Sequence, residues 1–169
     1  MGINLNLSRH YGRAPRGVRV VEAVPVNTPV NTSFVGALGA RKMLAGVCLE
    51  GAVDQESFAC FAEQMLAPKL KRGQVVLIDN AAPHQSERVQ RAIEAVGAIL
   101  IYLPAYSPDY NPIEECWSKL KAFLRARAAR TRKDLWRALQ QALATITPQN
   151  IAGWFHHAGY YFSSELNPL

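Results

Sequence analysis

Apolar residues along the chain alternate between short continuous runs and stripes at helical spacing. The runs Thr32–Leu38 and 43–49 are separated by a short stretch that contains Gly39, and together they predict a β-hairpin. The runs Val75–Ile78 and 98–103 are short and rich in branched apolar side chains, so they predict two buried strands.

Helical stripes and capping residues predict five helices. Asp54 is a good N-cap, and the first stripe, over 58–65, runs to a stop at Pro68. A second helix is predicted over 86–96, with Gly97 as its C-terminal stop. The last three helices begin at a proline or follow a threonine cap, and the residues that mark them are Pro112, Thr131 and Thr147.

The order hairpin, helix, strand, helix, strand, helix indicates a single α/β domain with a mixed sheet flanked by helices. The later strands are predicted to be parallel and buried on both faces. The domain divides into a basic arm with the hairpin (1–50), a helix-strand-helix-strand core (51–110) and the C-terminal helices (111–169). The arm is predicted to be irregular over 1–30, and its basic residues are Arg9, Arg13, Arg16 and Arg19.

The composition narrows the function classes. The chain is 49% apolar and 19% charged, as in globular proteins, and its net charge of +6 favours a polyanionic partner. Its three cysteines lie far apart without metal-ligand spacing, which predicts reduced thiols in the cytosol. No apolar run approaches the ~20 residues of a membrane helix, and the N-terminus does not resemble a signal peptide. We therefore expect a cytoplasmic, nucleic-acid-binding protein that is not attached to a membrane.

Asp79 directly follows the Val75–Ile78 strand, and Asn80 and His84 come soon after it. Ligands of α/β sheets bind beyond the carboxyl ends of the strands, so Asp79 is a candidate metal ligand. Asn80 and His84 are candidate supporting residues, and His84 could contact a phosphate or orient the site. The alternative is that Asp79 opens the loop as an Asx-turn and that His84 is a surface residue near a helix start.

Glu114 lies in the first turn of the helix predicted at Pro112, and 34 residues separate it from Asp79. Two carboxylates, one at a strand end and one at a helix start, can hold divalent metal for phosphoryl transfer on nucleic acid. The alternative is a capping box, because Asn111 is a good N-cap three residues before Glu114. Glu115 points about 100° further around the helix, so the two glutamates cannot both face one site.

From Cys116 to Lys133 the sequence has basic residues and no acidic one. The run begins within one turn of Glu114, so a phosphate backbone that threads the site would meet it next. The alternative is a solvated face without a ligand. The residues predicted to contact DNA are Lys119, Lys121, Arg125, Arg127, Arg130, Arg132 and Lys133. His156 and His157 are predicted to lie at a solvated helix end without a carboxylate partner.

Two segments resemble a known family. Residues 77–84 read Leu-Ile-Asp-Asn-Ala-Ala-Pro-His, and residues 103–114 read Leu-Pro-Ala-Tyr-Ser-Pro-Asp-Tyr-Asn-Pro-Ile-Glu, with Trp117 three residues later. They resemble the second and third catalytic blocks of the mariner superfamily of DDE transposases, and most closely its bacterial insertion-sequence branch. The resemblance extends over nearly the whole chain, including 4–15 and 153–160.

The resemblance implies a ribonuclease H-like fold and cut-and-paste DNA transposition. It implies that Asp79 is the second catalytic aspartate and Glu114 the terminal glutamate, which hold two Mg²⁺ or Mn²⁺ ions together with a first aspartate. One ion would activate water or a DNA 3′-hydroxyl, and the other would stabilise the leaving oxygen. The implied partners are transposon-end and target DNA, on which the protein would be a homodimer, associated with the nucleoid.

The sequence departs from the family at its start. The family's first aspartate belongs to an Asp-Glu pair that ends the first, central strand and would lie two positions before Met1, and no residue in 1–10 is acidic. The family's N-terminal helix-turn-helix region is not found either. We therefore expect a C-terminal catalytic portion, made from an internal Met, downstream of a frameshift or as a decayed remnant. Its first strand is missing and could come from an upstream-frame product, and the chain alone is expected to be inactive.

Two other functions stay open. One is a non-enzymatic DNA-binding transposase remnant that acts through the basic run at 116–133. The other is a ribonuclease H-like nuclease acting on RNA–DNA hybrids, against which the Ser-Pro-Asp-Tyr-Asn-Pro-Ile-Glu block argues. Salt-sensitive binding without cleavage would favour the first, and a preference for hybrids over duplex DNA would favour the second.

Overall fold

The computed structural model describes residues 1–24 and 31–161, and it confirms the predicted α/β order. The strands of these ranges are β1 (Gly2–Ile3), β2 (Thr32–Leu38), β3 (Met43–Glu50), β4 (Val75–Ile78) and β5 (Ile99–Tyr102). The α-helices are α1 (Gln55–Phe61), α2 (Glu87–Ala95), α3 (Pro112–Arg127), α4 (Arg132–Ala144) and α5 (Pro148–His157). None of the helices in the described ranges is long and apolar enough to cross a membrane.

β2 and β3 form the predicted antiparallel hairpin, with Thr32 opposite Glu50. β1 adds a short third strand on the other side of β2, with Gly2 opposite Ser33. The prediction of an irregular arm is therefore wrong for β1, because the buried side chain of Ile3 docks this segment on the hairpin. The arm has no helix or strand over 4–24. The predictions for 25–30 and 162–169 lie outside the described residues.

β4 and β5 pair in parallel, with Val75 opposite Ile99 and Ile78 opposite Tyr102. They form a sheet separate from the three-stranded sheet β1-β2-β3. The strands expected in one mixed sheet thus occur as an antiparallel part and a parallel part. No strand among the described residues joins them.

The parallel strands are covered on one face only. Val76 and Leu100 pack against a buried cluster, whereas Val75, Ile99 and Ile101 on the opposite face expose 53%, 51% and 44% of their surface. The prediction that these strands are buried on both faces is therefore wrong, because the packed cluster of the described chain lies on one side of them.

α1 begins at its predicted cap, since the Asp54 carboxylate accepts the Ser57 N–H at 2.8 Å. The helical segment continues through a π-helical turn, Ala62–Leu66, and a 3₁₀ turn, Ala67–Lys69, so it ends within one residue of the predicted stop at Pro68. Pro68 is tolerated because it lies at the start of the 3₁₀ turn, where its missing N–H is not required.

α2 is linked to this extended helix by an arginine. Arg88 donates to both carboxylate oxygens of Glu63, at 2.9 and 2.8 Å. α2 begins after Ser86, and Gly97 follows its end with a left-handed φ of 77°, as predicted. A Cβ at Gly97 would also meet the Arg72 side chain at 2.8 Å, so both conformation and space require glycine there.

Trp117 joins α3 to the hairpin. Its ring packs edge-on against Phe34, with ring centroids 5.5 Å apart and an interplanar angle of 80°. Gly36 leaves room for it, because a Cβ at that position would lie 2.9 Å from the indole. The contact belongs to a buried cluster that holds β1 and β2 against α3 and α4. It fixes the first turn of α3, which carries Glu114, relative to the hairpin.

The last two helices begin at their predicted caps. Thr131 accepts a backbone N–H of the first turn of α4 at 3.1 Å, and Thr147 and Asn150 form a reciprocal capping box on α5. Lys119 of α3 donates to the carbonyl of Thr145 at 2.7 Å and also contacts Asn150. This lysine therefore ties α3 to the turn between α4 and α5.

Candidate active site

Asp79 is held at the carboxyl end of β4, where the sequence predicts it. Leu103 extends the parallel pairing by donating its N–H to the carbonyl of Ile78 at 2.8 Å. The backbone next to Asp79 is thus fixed by β5, while its side chain stays about half exposed.

His84 orients the Asp79 carboxylate. Its Nδ1 pairs with Oδ1 of Asp79, which also accepts the Ala81 N–H at 3.2 Å. The His84 hydrogen bond lowers the pKa of Asp79 against the opposing effect of burial, so this carboxylate is ionised at neutral pH. The Asx-turn contact therefore forms, and it coexists with an oriented carboxylate. The alternative that His84 is only a surface residue is wrong, because its ring is engaged by Asp79.

Two residues that the sequence did not single out hold His84. Phe58 of α1 packs on the imidazole with ring centroids 4.0 Å apart, and the Tyr102 hydroxyl donates to the His84 carbonyl at 3.3 Å. The register of the parallel strands is the signal that could have found Tyr102, since it places this residue opposite Ile78 at the end of β4.

Asn80 is linked to the loop rather than to Asp79. Its carbonyl accepts from the Gln85 side-chain amide at 3.1 Å, and its own amide oxygen contacts the same nitrogen. The Gln85 carbonyl in turn accepts from the side chain of Gln55. Asn80 therefore supports the conformation of the loop that carries His84.

Glu114 is exposed in the first turn of α3 and does not cap it. A capping box requires the Asn111 N–H, which instead donates to the Pro108 carbonyl at 2.9 Å. The Asn111 side chain makes no capping hydrogen bond either. The capping interpretation is therefore wrong, because the Asn111 N–H that a capping box requires is already bonded within the 3₁₀ turn Pro108–Tyr110. No hydrogen bond to the Glu114 carboxylate comes from the described part of the chain, so its oxygens are available to a ligand.

Glu115 serves a different contact. Its Oε1 lies 3.7 Å from Nε2 of His157 at the end of α5. The prediction that His157 lacks a carboxylate partner is wrong, because α5 packs back against α3. The prediction that the two glutamates cannot both face one site is wrong, because both line one depression with Pro108 and Ala158, although only Glu115 pairs with the histidine.

The amino end of β1 lies near both Asp79 and Glu114. The Met1 amino nitrogen donates to the Phe34 carbonyl at 2.8 Å. Burial lowers the pKa of this amino group and Lys121 lowers it further, whereas Glu114 and Asp79 raise it. Both carboxylates therefore lie within electrostatic range of the start of β1.

This pair fits part of a divalent metal site. Carboxylate oxygens are hard ligands that suit Mg²⁺ and Mn²⁺, and Asp79 and Glu114 could each supply one. Within residues 1–24 and 31–161, no group of three or more His, Cys, Asp or Glu side chains could hold a metal ion.

The seven predicted DNA-binding residues do not share one environment. Those with partners inside the protein are Lys119, Arg130 and Arg132. Arg130 donates to the carbonyls of Leu5 and Leu7 at 3.2 and 3.1 Å, which fastens the N-terminal arm beside the end of α3. Arg132 forms an ion pair with Glu50. These contacts give the three residues a structural role that the basic pattern did not reveal.

The remaining four form no ion pair with any residue that the structure describes, and they are Lys121, Arg125, Arg127 and Lys133. Lys121 lies on α3 about two turns after Glu114. Arg127 lies over the Phe123 ring at 5.0 Å, which orients its guanidinium. That the basic run contacts DNA stays a prediction, and it rests mainly on these four residues.

Solved structures share the fold. The Mos1 transposase paired-end complex with the left transposon end matches with a TM-score of 0.71 and 16% identity, over 94% of this chain and 50% of that chain. The Mos1 strand transfer complex matches with a TM-score of 0.69 and 18% identity, over 96% of this chain and 54% of that chain. The catalytic domain of Mos1 mariner transposase matches with a TM-score of 0.61 and 16% identity, over 80% of this chain and 78% of that chain. The chain thus spans about half the length of the Mos1 proteins in these complexes.

The described chain has a ribonuclease H-like fold. The family model of the DDE superfamily endonucleases matches residues 1–136. The chain belongs to this family. A comparison with curated protein sequences finds no match. The bacterial insertion-sequence branch stays a prediction.

Proposed function

We propose that this chain is the catalytic portion of a mariner-superfamily transposase, for metal-dependent cleavage and transfer of DNA strands. The observation that carries the proposal is a pair of carboxylates: Asp79 is oriented by His84 at the end of β4, and Glu114 accepts no hydrogen bond from the described residues in the first turn of α3. The family match supports endonuclease chemistry. The Mos1 complex with a transposon end and the Mos1 strand transfer complex support DNA as the substrate.

In this proposal the residues of the chain present two fixed negative charges. His84 keeps Asp79 ionised and oriented, and the packing of Trp117 fixes the helix turn that presents Glu114. A bound pair of Mg²⁺ or Mn²⁺ ions would activate the attacking oxygen and stabilise the leaving one. Mos1 structures with Mn and with Mg support this class of cofactor.

We further propose that a strand from a longer or upstream-frame product enters the gap between β2 and β4 and supplies the first aspartate. β4 pairs only with β5, and β1 covers only the first residues of β2, so both strands have open edges in the described structure. Unpaired strand edges are available for pairing with another segment. The completed protein would act as a homodimer on DNA, in the cytoplasm and on the nucleoid.

The 169-residue chain alone is expected not to cleave DNA, because two carboxylates are too few to hold the metal pair. Nicking of a supercoiled plasmid in Mg²⁺ or Mn²⁺ measures this, with the Asp79→Ala variant revealing any contaminating nuclease. Efficient cleavage that disappears in Asp79→Ala would show that the pair suffices and would contradict the proposal.

A second function, non-enzymatic DNA binding, is favoured by the four basic residues without ion pairs. Changing Lys121, Arg125, Arg127 and Lys133 to Gln is expected to weaken binding to duplex DNA. The slope of log K against log salt should become shallower by about 0.9 for each phosphate that the variant no longer neutralises. Fluorescence anisotropy titrations at several salt concentrations measure both effects.

A matched variant separates this surface from total charge. Arg41, Lys42, Lys71 and Arg72 are exposed and lie outside the basic run, so their replacement by Gln changes the net charge equally. Binding should then fall much less, and Asp79→Ala and Glu114→Ala should leave it intact. An equal loss of affinity in the two charge variants would show that overall charge, rather than this segment, binds DNA.

A further inference from the structure

Tyr106 combines full exposure with a strained backbone. Its relative exposure is 101%, and its φ of 57° lies in the left-handed region that residues with a Cβ rarely adopt. Among residues 1–24 and 31–161, no side chain makes a hydrogen bond or ring contact with it. Such a conformation costs free energy, and the folded protein gains no packing from the ring in return. Strain of this kind concentrates at functional sites.

The position of Tyr106 is bounded on both sides by the carboxylates. Leu103, three residues before it, is hydrogen-bonded to β4 next to Asp79. Pro108, two residues after it, lines the same depression as Glu114. Because an extended chain advances at most about 3.6 Å per residue, Tyr106 lies within about 11 Å of Leu103 and about 7 Å of Pro108. The backbone of Tyr106 therefore lies in the loop that connects the strand end beside Asp79 with the turn before Glu114.

Two further tyrosines, each four residues away, flank Tyr106 and are anchored. Tyr102 donates to the His84 carbonyl, and the Tyr110 carbonyl accepts from the Tyr160 hydroxyl at 2.8 Å. The loop is thus fastened at both ends, and Tyr106 projects from its middle without a partner of its own among the described residues. A held loop presents the ring at low entropic cost, as a preformed platform.

We propose that Tyr106 stacks on an unpaired nucleobase of the DNA strand beside Asp79 and Glu114. This rests on the proposed function, and it adds a preference for a strand whose base has left the duplex. Exposed aromatic rings next to basic side chains are the chemistry that binds single strands, because every base offers a stacking face. Lys121, about two turns after Glu114 on α3, supplies the charge for the adjoining phosphate.

Binding of the 169-residue chain to fluorescein-labelled single-stranded and fully paired DNA in Mg²⁺ tests the proposal. Tyr106→Ala should raise the Kd for the single strand about tenfold, the scale of a single base–aromatic stack, and change the duplex Kd by less than about twofold. Tyr106→Phe keeps the ring and should bind like the wild type. A 2-aminopurine base in the strand should be quenched by the wild type and not by Tyr106→Ala.

Two controls make the outcome specific. Tyr11→Ala removes a ring that is 90% exposed on the N-terminal arm and should leave binding unchanged. Tyr106→Gly deletes the ring while relieving the left-handed backbone, so it should weaken single-strand binding without lowering Tm. The stacking inference would be overturned if Tyr106→Ala bound single-stranded DNA like the wild type. Weaker binding by the variant of Lys121, Arg125, Arg127 and Lys133 in the same experiment would show that the protein still binds DNA through its basic residues. A wild-type chain that binds neither DNA at low salt would overturn the proposed function itself.

Discussion

A chain extended before Met1 by an apolar strand that ends in Asp-Glu is expected to become a metal-dependent DNA nuclease. The added strand is proposed to pair with the open edges of β2 and β4 and to bring its aspartate close to Asp79 and Glu114. Charge stabilisation at a reacting phosphate is worth orders of magnitude, so we expect a gain of about a thousandfold or more over the 169-residue chain. Plasmid nicking in Mg²⁺ and Mn²⁺, with chelator as a blank, measures it.

Variants of the extended chain distinguish a loss of catalysis from a loss of folding. Asp79→Asn and Glu114→Gln should return cleavage to the level of the unextended chain while leaving the thermal transition in place. Glu115→Gln is the matched control, since it removes a neighbouring carboxylate that pairs with His157. Mn²⁺ should raise the Tm of the extended chain and not that of Asp79→Asn. An extended, folded chain without cleavage would contradict the three-carboxylate assignment.

The elements were predictable from the sequence because their signals are local. Apolar alternation and turn residues define the hairpin, and Asn111-Pro112 defines the start of α3 within one residue. The position of Asp79 follows from the end of a β-branched run. The predictions that were wrong depend on contacts with other parts of the chain, which a local pattern does not show. The capping box at Glu114 is absent because Pro108 takes the Asn111 N–H, and nothing in the spacing shows that competition.

The basic run shows the same limit. Arg130 reaches the carbonyls of Leu5 and Leu7, more than a hundred residues away in sequence, so its structural role cannot be recognised from charge pattern alone. The exposed face of β4 and β5 is a further case. Apolar runs such as Val75–Ile78 predict burial on both faces, but burial also needs an element on each side. Whether one is present is a property of the assembled fold.

Trp117→Ala is expected to destabilise the protein by about 3–5 kcal/mol, the cost of deleting a large aromatic side chain from a packed core. The indole packs on Phe34 and fills the space that Gly36 leaves open, so its removal creates a cavity between α3 and the hairpin. Urea denaturation followed by circular dichroism measures the change in the free energy of unfolding. Trp117→Phe, which keeps an aromatic ring against Phe34, should cost much less.

Trp136 provides the matched control, because its side chain on α4 is 43% exposed and Trp136→Ala should cost no more than about 1 kcal/mol. Equal destabilisation in the two alanine variants would show that the Trp117 contact does not fasten α3. In the extended chain the two substitutions should also differ in activity at temperatures where both remain folded. Glu114 lies one turn before Trp117, so a loosened α3 moves the terminal carboxylate relative to Asp79. A displacement of about 1 Å is enough to cost roughly a hundredfold in rate. The tryptophan of the motif would then act on catalysis by holding its glutamate in place.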